Sequence, residues 1–210
     1  MTSPYWLCNG KTCQTKNRLH LAFNGNDGWR RESSRRLEYQ KGYDMLLDAF
    51  DIFVRRCPEW HLDIYGKGSD KAALTEKITR LGLDNCVSLN SPTTDIYKEY
   101  QASEFYVMSS RYEGYALVLL EAMACGLPCV SFKCKYGPED IIADGKSGLL
   151  ASDGDINDLA DKMYQMATHT HERLQMGIEA RKAVKRNTLE NIMKQWMDLF
   201  EELTDSLPTP

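Results

Sequence analysis

From Lys41 onward the apolar residues switch repeatedly between a helical spacing and short unbroken runs, and each switch marks a new element. Between Tyr43 and Arg56 they fall at Leu46, Leu47, Phe50, Phe53 and Val54, the single stripe of a helix, with Pro58 just past its end. His61 to Tyr65 reads as a short strand closed by Gly66 and Gly68, and Asp70 to Leu81 as a helix stopped by Gly82. A strand at Cys86–Leu89, a short helix at Asp95–Gln101 and a strand at Glu104–Met108 follow. Then come a helix at Leu117–Cys125, with Leu117, Leu120 and Ala124 as its core face, and a strand at Leu127–Phe132. A helical turn at Glu139–Ala143 and an edge strand at Gly148–Ala151 complete the alternation. Three helices close the chain, at Ile156–Thr168, His171–Lys185 and Leu189–Leu203.

Strands alternating with helices at this spacing predict an α/β fold, a doubly wound parallel sheet covered on both faces. Ligands of such sheets bind beyond the carboxyl ends of the strands. The loops after Tyr65, Met108 and Phe132 should therefore share one rim.

Composition narrows the function classes. A chain of 210 residues with 42% hydrophobic and 27% charged residues has the make-up of one ordinary globular domain. A net charge of −4 gives no pull toward nucleic acid or an anionic membrane. No apolar run approaches the roughly 18 residues of a membrane span, and no secretory signal is expected. The seven cysteines include no Cys-x-x-Cys pair, so reduced core thiols are expected and no metal site. His169 and His171 read as surface residues. The compartment expected is the cytoplasm.

The stretch with most chemistry is Glu113-Gly-Tyr-Ala-Leu-Val-Leu-Leu-Glu121, two carboxylates separated by a glycine turn and an apolar helix. Wholly helical, the two glutamates would lie about 80° apart around the axis and two turns apart along it. Placing Glu113 in the loop before the helix, with Gly114 permitting the turn, is the better reading. The free N–H groups around Tyr115 to Leu117 and the positive end of the helix then form an anion seat between the two carboxylates. A carboxylate for sugar hydroxyls, a phosphate seat and a second carboxylate for ribose describe a sugar-nucleotide site.

The longer segment Ser109 to Ser131 closely resembles the donor-site signature of retaining glycosyltransferases of the GT-B fold, the group sharing an E-x7-E motif. Four further pieces stand in that family's order: Arg36-Leu37 with Gln40-Lys41-Gly42, Asp63-Ile-Tyr-Gly-Lys-Gly68, Tyr136-Gly-Pro-Glu139 and Asp144-Gly-Lys-Ser-Gly148. The resemblance implies a Rossmann-like sheet forming the C-terminal, nucleotide-binding half of a GT-B fold. It assigns Arg36 and Lys41 to the diphosphate, Glu113 to the hydroxyls of the transferred sugar and Glu121 to the ribose. It also assigns the backbone of Gly114, Tyr115, Ala116 and Leu117 to the diphosphate, and Gly66 and Gly68 to a turn where the nucleotide approaches the main chain. The donor implied is a UDP- or GDP-hexose, with no cofactor and no metal. The sugar would leave and be attacked on one face, the leaving phosphate taking the acceptor proton.

The resemblance begins at Arg36. Upstream, Gly28 to Arg35 lacks the apolar strand and glycine that precede this motif in the family. Residues 1–35 are therefore expected to be an atypical segment, disordered or mis-framed, with a divergent strand at Leu19–Phe23 as the rival. Residues 36–204 are expected to be the donor-binding domain and residues 205–210 a flexible tail. The N-terminal half that supplies the acceptor site in the family is expected to be missing. The implied function is transfer of a hexosyl group, with retention, to a glycan or lipid-linked acceptor. The alternative is a non-catalytic sugar-nucleotide-binding subunit or truncated remnant completed by a separate acceptor domain. Ile192, Trp196, Leu199 and Phe200 form an apolar stripe on the last helix that would favour self-association, and peripheral association with the inner face of the membrane is the second expectation for location.

Overall fold

The computed structural model of the chain describes residues 18–21 and 37–205. Six strands, β1 (Arg18–Leu21), β2 (His61–Tyr65), β3 (Val87–Asn90), β4 (Phe105–Met108), β5 (Cys129–Phe132) and β6 (Gly148–Ala151), form one sheet in the order β3-β2-β1-β4-β5-β6. Every neighbouring pair is parallel. The helices are α1 (Tyr43–Val54), α2 (Lys71–Leu81), α3 (Ile96–Gln101), α4 (Leu117–Ala124), α5 (Pro138–Ile141), α6 (Ile156–Thr168), α7 (Thr170–Val184) and α8 (Leu189–Asp205). This is the doubly wound Rossmann-like α/β sheet expected, with element ends shifted by about one or two residues.

The strand order grows outward from β1 in one direction through β2 and β3, then in the other through β4, β5 and β6. The direction reverses between β1 and β4, the switch point beyond whose strand ends sheets of this kind bind ligands. The middle strand, β1, lies inside the segment read as atypical, where the rival reading put a strand at 19–23. Leu19 pairs with Leu62 on one side and Phe105 on the other. Residues 1–17, 22–36 and 206–210, and with them Arg36 and the tail, lie outside the described residues.

α1 packs against α2 and α6, and α4 packs against α7. Under α1 an aromatic chain runs through the core, Phe53 meeting Trp60 at 6.0 Å between ring centroids and Trp60 meeting Phe105 at 5.2 Å. Arg173 of α7, buried, ties the layers together. Its Nη1 donates to the carbonyls of Met166 and Ala167 at the end of α6, and its Nη2 to Glu104 beside β4.

Two expectations about faces change. The core face of α4 is Val118, Leu119, Ala122 and Met123, whereas Leu117 and Ala124 are exposed and Leu120 is half-buried. Apolar residues encircle this helix, so their spacing carries no orientation; packing against β4, β5 and α7 selects the buried side. The stripe of α8 remains open, with Trp196 at 51% and Phe200 at 57% exposure. No described helix is long and apolar enough to cross a membrane.

Candidate functional site

Four loops meet above the strand ends, stitched largely by backbone. Leu37 donates its N–H to the carbonyl of Lys67 (2.9 Å) and accepts from the N–H of Asp70 (3.0 Å), which lays it across the Gly66-Lys67-Gly68 turn. A Cβ on Gly68 would sit 2.4 Å from the Leu37 nitrogen, so this glycine is demanded by the crossing of two chains. Gly66 is buried and donates to the carbonyl of Asn90 (3.1 Å), tying the same turn to the end of β3.

A 3-10 turn at Tyr39–Lys41 then carries the chain to Gly42, whose φ of +60° is left-handed. A Cβ there would lie 2.1 Å from the carbonyl oxygen of Ser109, so the turn presses directly on the loop after β4. Three hydrogen bonds fasten the contact. Arg111 N–H donates to the carbonyl of Gln40 (2.8 Å), Gln40 Nε2 to the carbonyl of Tyr112 (3.0 Å) and Ser109 Oγ to the carbonyl of Lys41 (3.0 Å). Arg111 also forks onto both carboxylate oxygens of Asp44 (2.9 and 2.7 Å) and lies over the Tyr39 ring. On the far side, Tyr112 pairs with Lys135 and Glu113 N–H reaches the Lys135 carbonyl (3.4 Å), joining the loop after β5. The shared rim expected of these loops is present.

At its centre Lys41 Nζ lies 2.7 Å from Oε1 of Glu113, and Ser110 Oγ donates to the same oxygen at 2.7 Å. The side chains of Lys41 and Glu113 are 7% and 9% exposed. Such shielding strengthens the attraction but makes either charge expensive to leave alone. Neighbouring groups register it. The Tyr43 phenol is held well above its ordinary value by burial and by the Glu113 charge. The Cys134 thiol is pushed up to about 12, first by burial and then by Glu113.

From Glu113 the chain turns through Gly114, Tyr115 and Ala116 into α4. Among the described residues, none of the N–H groups of Gly114, Tyr115, Ala116 and Leu117 donates to another protein atom. Four unengaged donors at a helix start, close to an ammonium, suit an anion. Glu121 stands one turn further along α4, partly buried.

The structure thus brings Lys41 and Glu113 into contact, sets Gly114–Leu117 beside them, and links Gly66 and Gly68 to them through Leu37. Arg36 is outside the described residues, although its neighbour Leu37 is pinned to this rim. Sequence reasoning passed over Ser110 and Arg111. Both stand inside the signature segment, but their partners, Glu113 and the remote Asp44, are visible only in three dimensions. Among the described residues no cluster of three or more His, Cys, Asp or Glu could hold a metal ion. In the Asp153-Gly154-Asp155 triplet, Asp155 caps α6 by accepting from the N–H groups of Asn157 and Asp158. The five described cysteines are free, and burial raises all their thiols, so they remain protonated.

Residues 32–183 match the family model described as Glycosyl transferases group 1. The chain is 34% identical over 161 residues to the poly(ribitol-phosphate) alpha-N-acetylglucosaminyltransferase of Staphylococcus aureus (strain COL), covering 76% of this chain and 33% of that protein. Among solved structures it is similar to a mutant of S. aureus TarM in complex with fondaparinux, alpha-GlcNAc-glycerol and UDP. That match has a TM-score of 0.78 and 29% identity over 91% of this chain and 37% of that one. It is also similar to the pneumococcal O-GlcNAc transferase GtfA in complex with UDP and GlcNAc, with a TM-score of 0.73 and 27% identity over 90% and 36%. The chain spans about a third of the length of these relatives.

Proposed function

We propose that this chain, which belongs to the glycosyl transferases group 1 family, is the nucleotide-sugar-binding half of an enzyme moving a hexosyl group from a nucleotide-diphosphate sugar to a glycan or lipid-linked acceptor, with retention of configuration. The observation that carries this reading is the juxtaposition of the shielded Lys41–Glu113 pair with the unengaged N–H groups opening α4. The fold is shared with GT-B glycosyltransferases, and the juxtaposition lies at the end of β4, next to the point where the strand order reverses.

In this reading the four N–H groups take the diphosphate. Lys41 turns part of its charge from Glu113 to the departing phosphate, and Arg36 adds a second cation. Neutralising charge as it develops on the leaving group lowers the barrier more than binding the resting substrate does. Glu113, relieved of some of its ion pair, accepts from hydroxyls of the sugar, while Ser110 keeps the carboxylate oriented. Glu121 accepts from the ribose hydroxyls. The leaving phosphate removes the acceptor proton, on the same face from which the sugar departs. No protein carboxylate acts as nucleophile in this scheme, which separates it from the two-carboxylate logic of glycosidases. The acceptor enters from a part of the protein preceding this domain, and the reaction takes place in the cytoplasm, at the inner face of the membrane where the acceptor is lipid-linked.

Calorimetric titration with UDP and GDP tests the reading. Saturable binding, weakened by both Lys41→Ala and Glu121→Ala, is the expected result; a folded chain that takes up neither nucleotide defeats it. A second reading is a binding subunit completed by a separate acceptor chain that meets it at α8. The exposed Trp196 and Phe200 favour it, and activity appearing only on mixing with that chain would distinguish it.

A further inference from the structure

Ala116 is the residue on which α4 starts, and its backbone is strained. Its φ of +20° is positive for a residue with a side chain, and that side chain is buried at 4% exposure. Such a conformation persists only where its surroundings impose it. One side of the restraint is the turn after β5, where a Cβ on Gly137 would lie 3.4 Å from the Ala116 nitrogen and 3.5 Å from the Tyr115 Cα. These are van der Waals distances, so the two loops lie packed against each other, and the φ of +94° at Gly137 is what calls for glycine there.

The other side comes from outside every motif that the sequence singled out. The Tyr115 hydroxyl donates to Oδ1 of Asn187 at 2.8 Å. Asn187 ends the 3-10 turn Lys185–Asn187 between α7 and α8, and that turn is itself anchored. Arg186 Nη2 donates to the carbonyls of Asp140 and Ile141 at the end of α5, and Asn191 Nδ2 to the carbonyl of Lys185 (2.6 Å). The amide nitrogen of Asn187 is shielded from solvent and has no partner among the described residues. Leaving a buried donor unsatisfied is unfavourable, so the amide is held for what its oxygen does.

We propose that Asn187 is a positioning residue for the loop 113–117. By fixing the Tyr115 ring, it holds the strained start of α4 in the shape that aligns the N–H groups of Gly114 to Leu117. The inference rests on the donor-site reading for its consequence, and on Ala116, Gly137 and the Tyr115–Asn187 bond for its geometry. A casual surface hydrogen bond would leave the loop unchanged when removed. A positioning bond would not.

Hydrogen exchange of the Glu113 and Leu119 amides, which flank the loop and donate to the carbonyls of Lys135 and Ala116, measured without nucleotide, separates the two. Exchange should rise about fivefold in Asn187→Ala and in Tyr115→Phe, and the double variant should exchange no faster than either. Asn187→Asp, which keeps an acceptor oxygen for the phenol, should restore protection. UDP affinity should fall by about fivefold in both single variants. Unchanged exchange in a folded Asn187→Ala overturns the proposal, as does a rise spread evenly over residues 43–205. If the unaltered chain takes up neither UDP nor GDP, the donor reading fails, while the exchange pattern still decides whether Asn187 positions the loop.

Discussion

The ammonium of Lys41 and the carboxylate of Glu113 meet at 2.7 Å although 72 positions separate them in the chain. Both are nearly shielded from water, so removing Lys41 takes the counter-charge from a shielded carboxylate. Lys41→Met should destabilise the domain by about 3 kcal/mol, the low end for breaking a buried pair, because Ser110 still supports the carboxylate. Lys41→Met with Glu113→Gln should cost at least about 1 kcal/mol less than the sum of the single changes. Urea unfolding of the four proteins measures this, and simple additivity would show that the pair is not coupled.

Gly42 and Gly82 both have left-handed backbones, at φ +60° and +70°, yet only Gly42 faces another chain segment. Nothing lies within 4 Å of a Cβ on Gly82, so Gly82→Ala should cost only the backbone penalty of about 1–2 kcal/mol. Gly42→Ala drives a methyl into the Ser109 carbonyl and should cost more than about 3 kcal/mol, with loss of nucleotide binding. Thermal melts of the two variants side by side check the contrast; equal losses would mean that the 39–42 turn does not brace the loop after β4.

The Arg111 guanidinium holds the Asp44 carboxyl below its ordinary value, chiefly by hydrogen bonding, against an opposing effect of burial. A carboxyl with a depressed folded-state value stabilises above its unfolded value, about 3.9, and loses that contribution as pH falls through the folded one. The melting temperature of the unaltered protein should exceed that of Asp44→Asn at pH 6, and the gap should close as the pH falls through the folded-state value. The effect is at most about 1 kcal/mol, since Asp44 is half exposed. A gap that widened on acidification would contradict this assignment.

The open face of α8 carries Met193, Trp196, Met197 and Phe200, too much clustered apolar surface for a helix that stays alone in water. Sedimentation should show concentration-dependent association of the chain, abolished by Trp196→Glu with Phe200→Glu while the melting temperature holds. A monodisperse monomer at tens of micromolar would mean that the stripe is covered by some other part of the protein.

The sheet was legible because burial on both faces forces near-continuous apolar runs such as Phe105–Met108 and Cys129–Phe132, and the glycine-marked turns between elements are local signals. α1 was legible for the same reason, its stripe at Leu46, Leu47, Phe50 and Phe53 being the buried side. β1 was harder to see. Arg18–Leu21 has one clear apolar pair and owes its place at the centre of the sheet to partners on both sides, His61–Ile64 and Phe105–Tyr106.

By itself the sequence determined the order of elements from Lys41 onward, the parallel sheet and the rim that three strand-end loops share, since all of these rest on local periods and turn signals. Tertiary structure alone decided which residues touch. It joined Lys41 to Glu113, Gly42 to Ser109, Arg111 to Asp44 and Tyr115 to Asn187, and it chose the buried side of α4. Those pairings depend on how far each crossover carries the chain before it returns to the sheet, and no local pattern of apolar and polar residues records that distance.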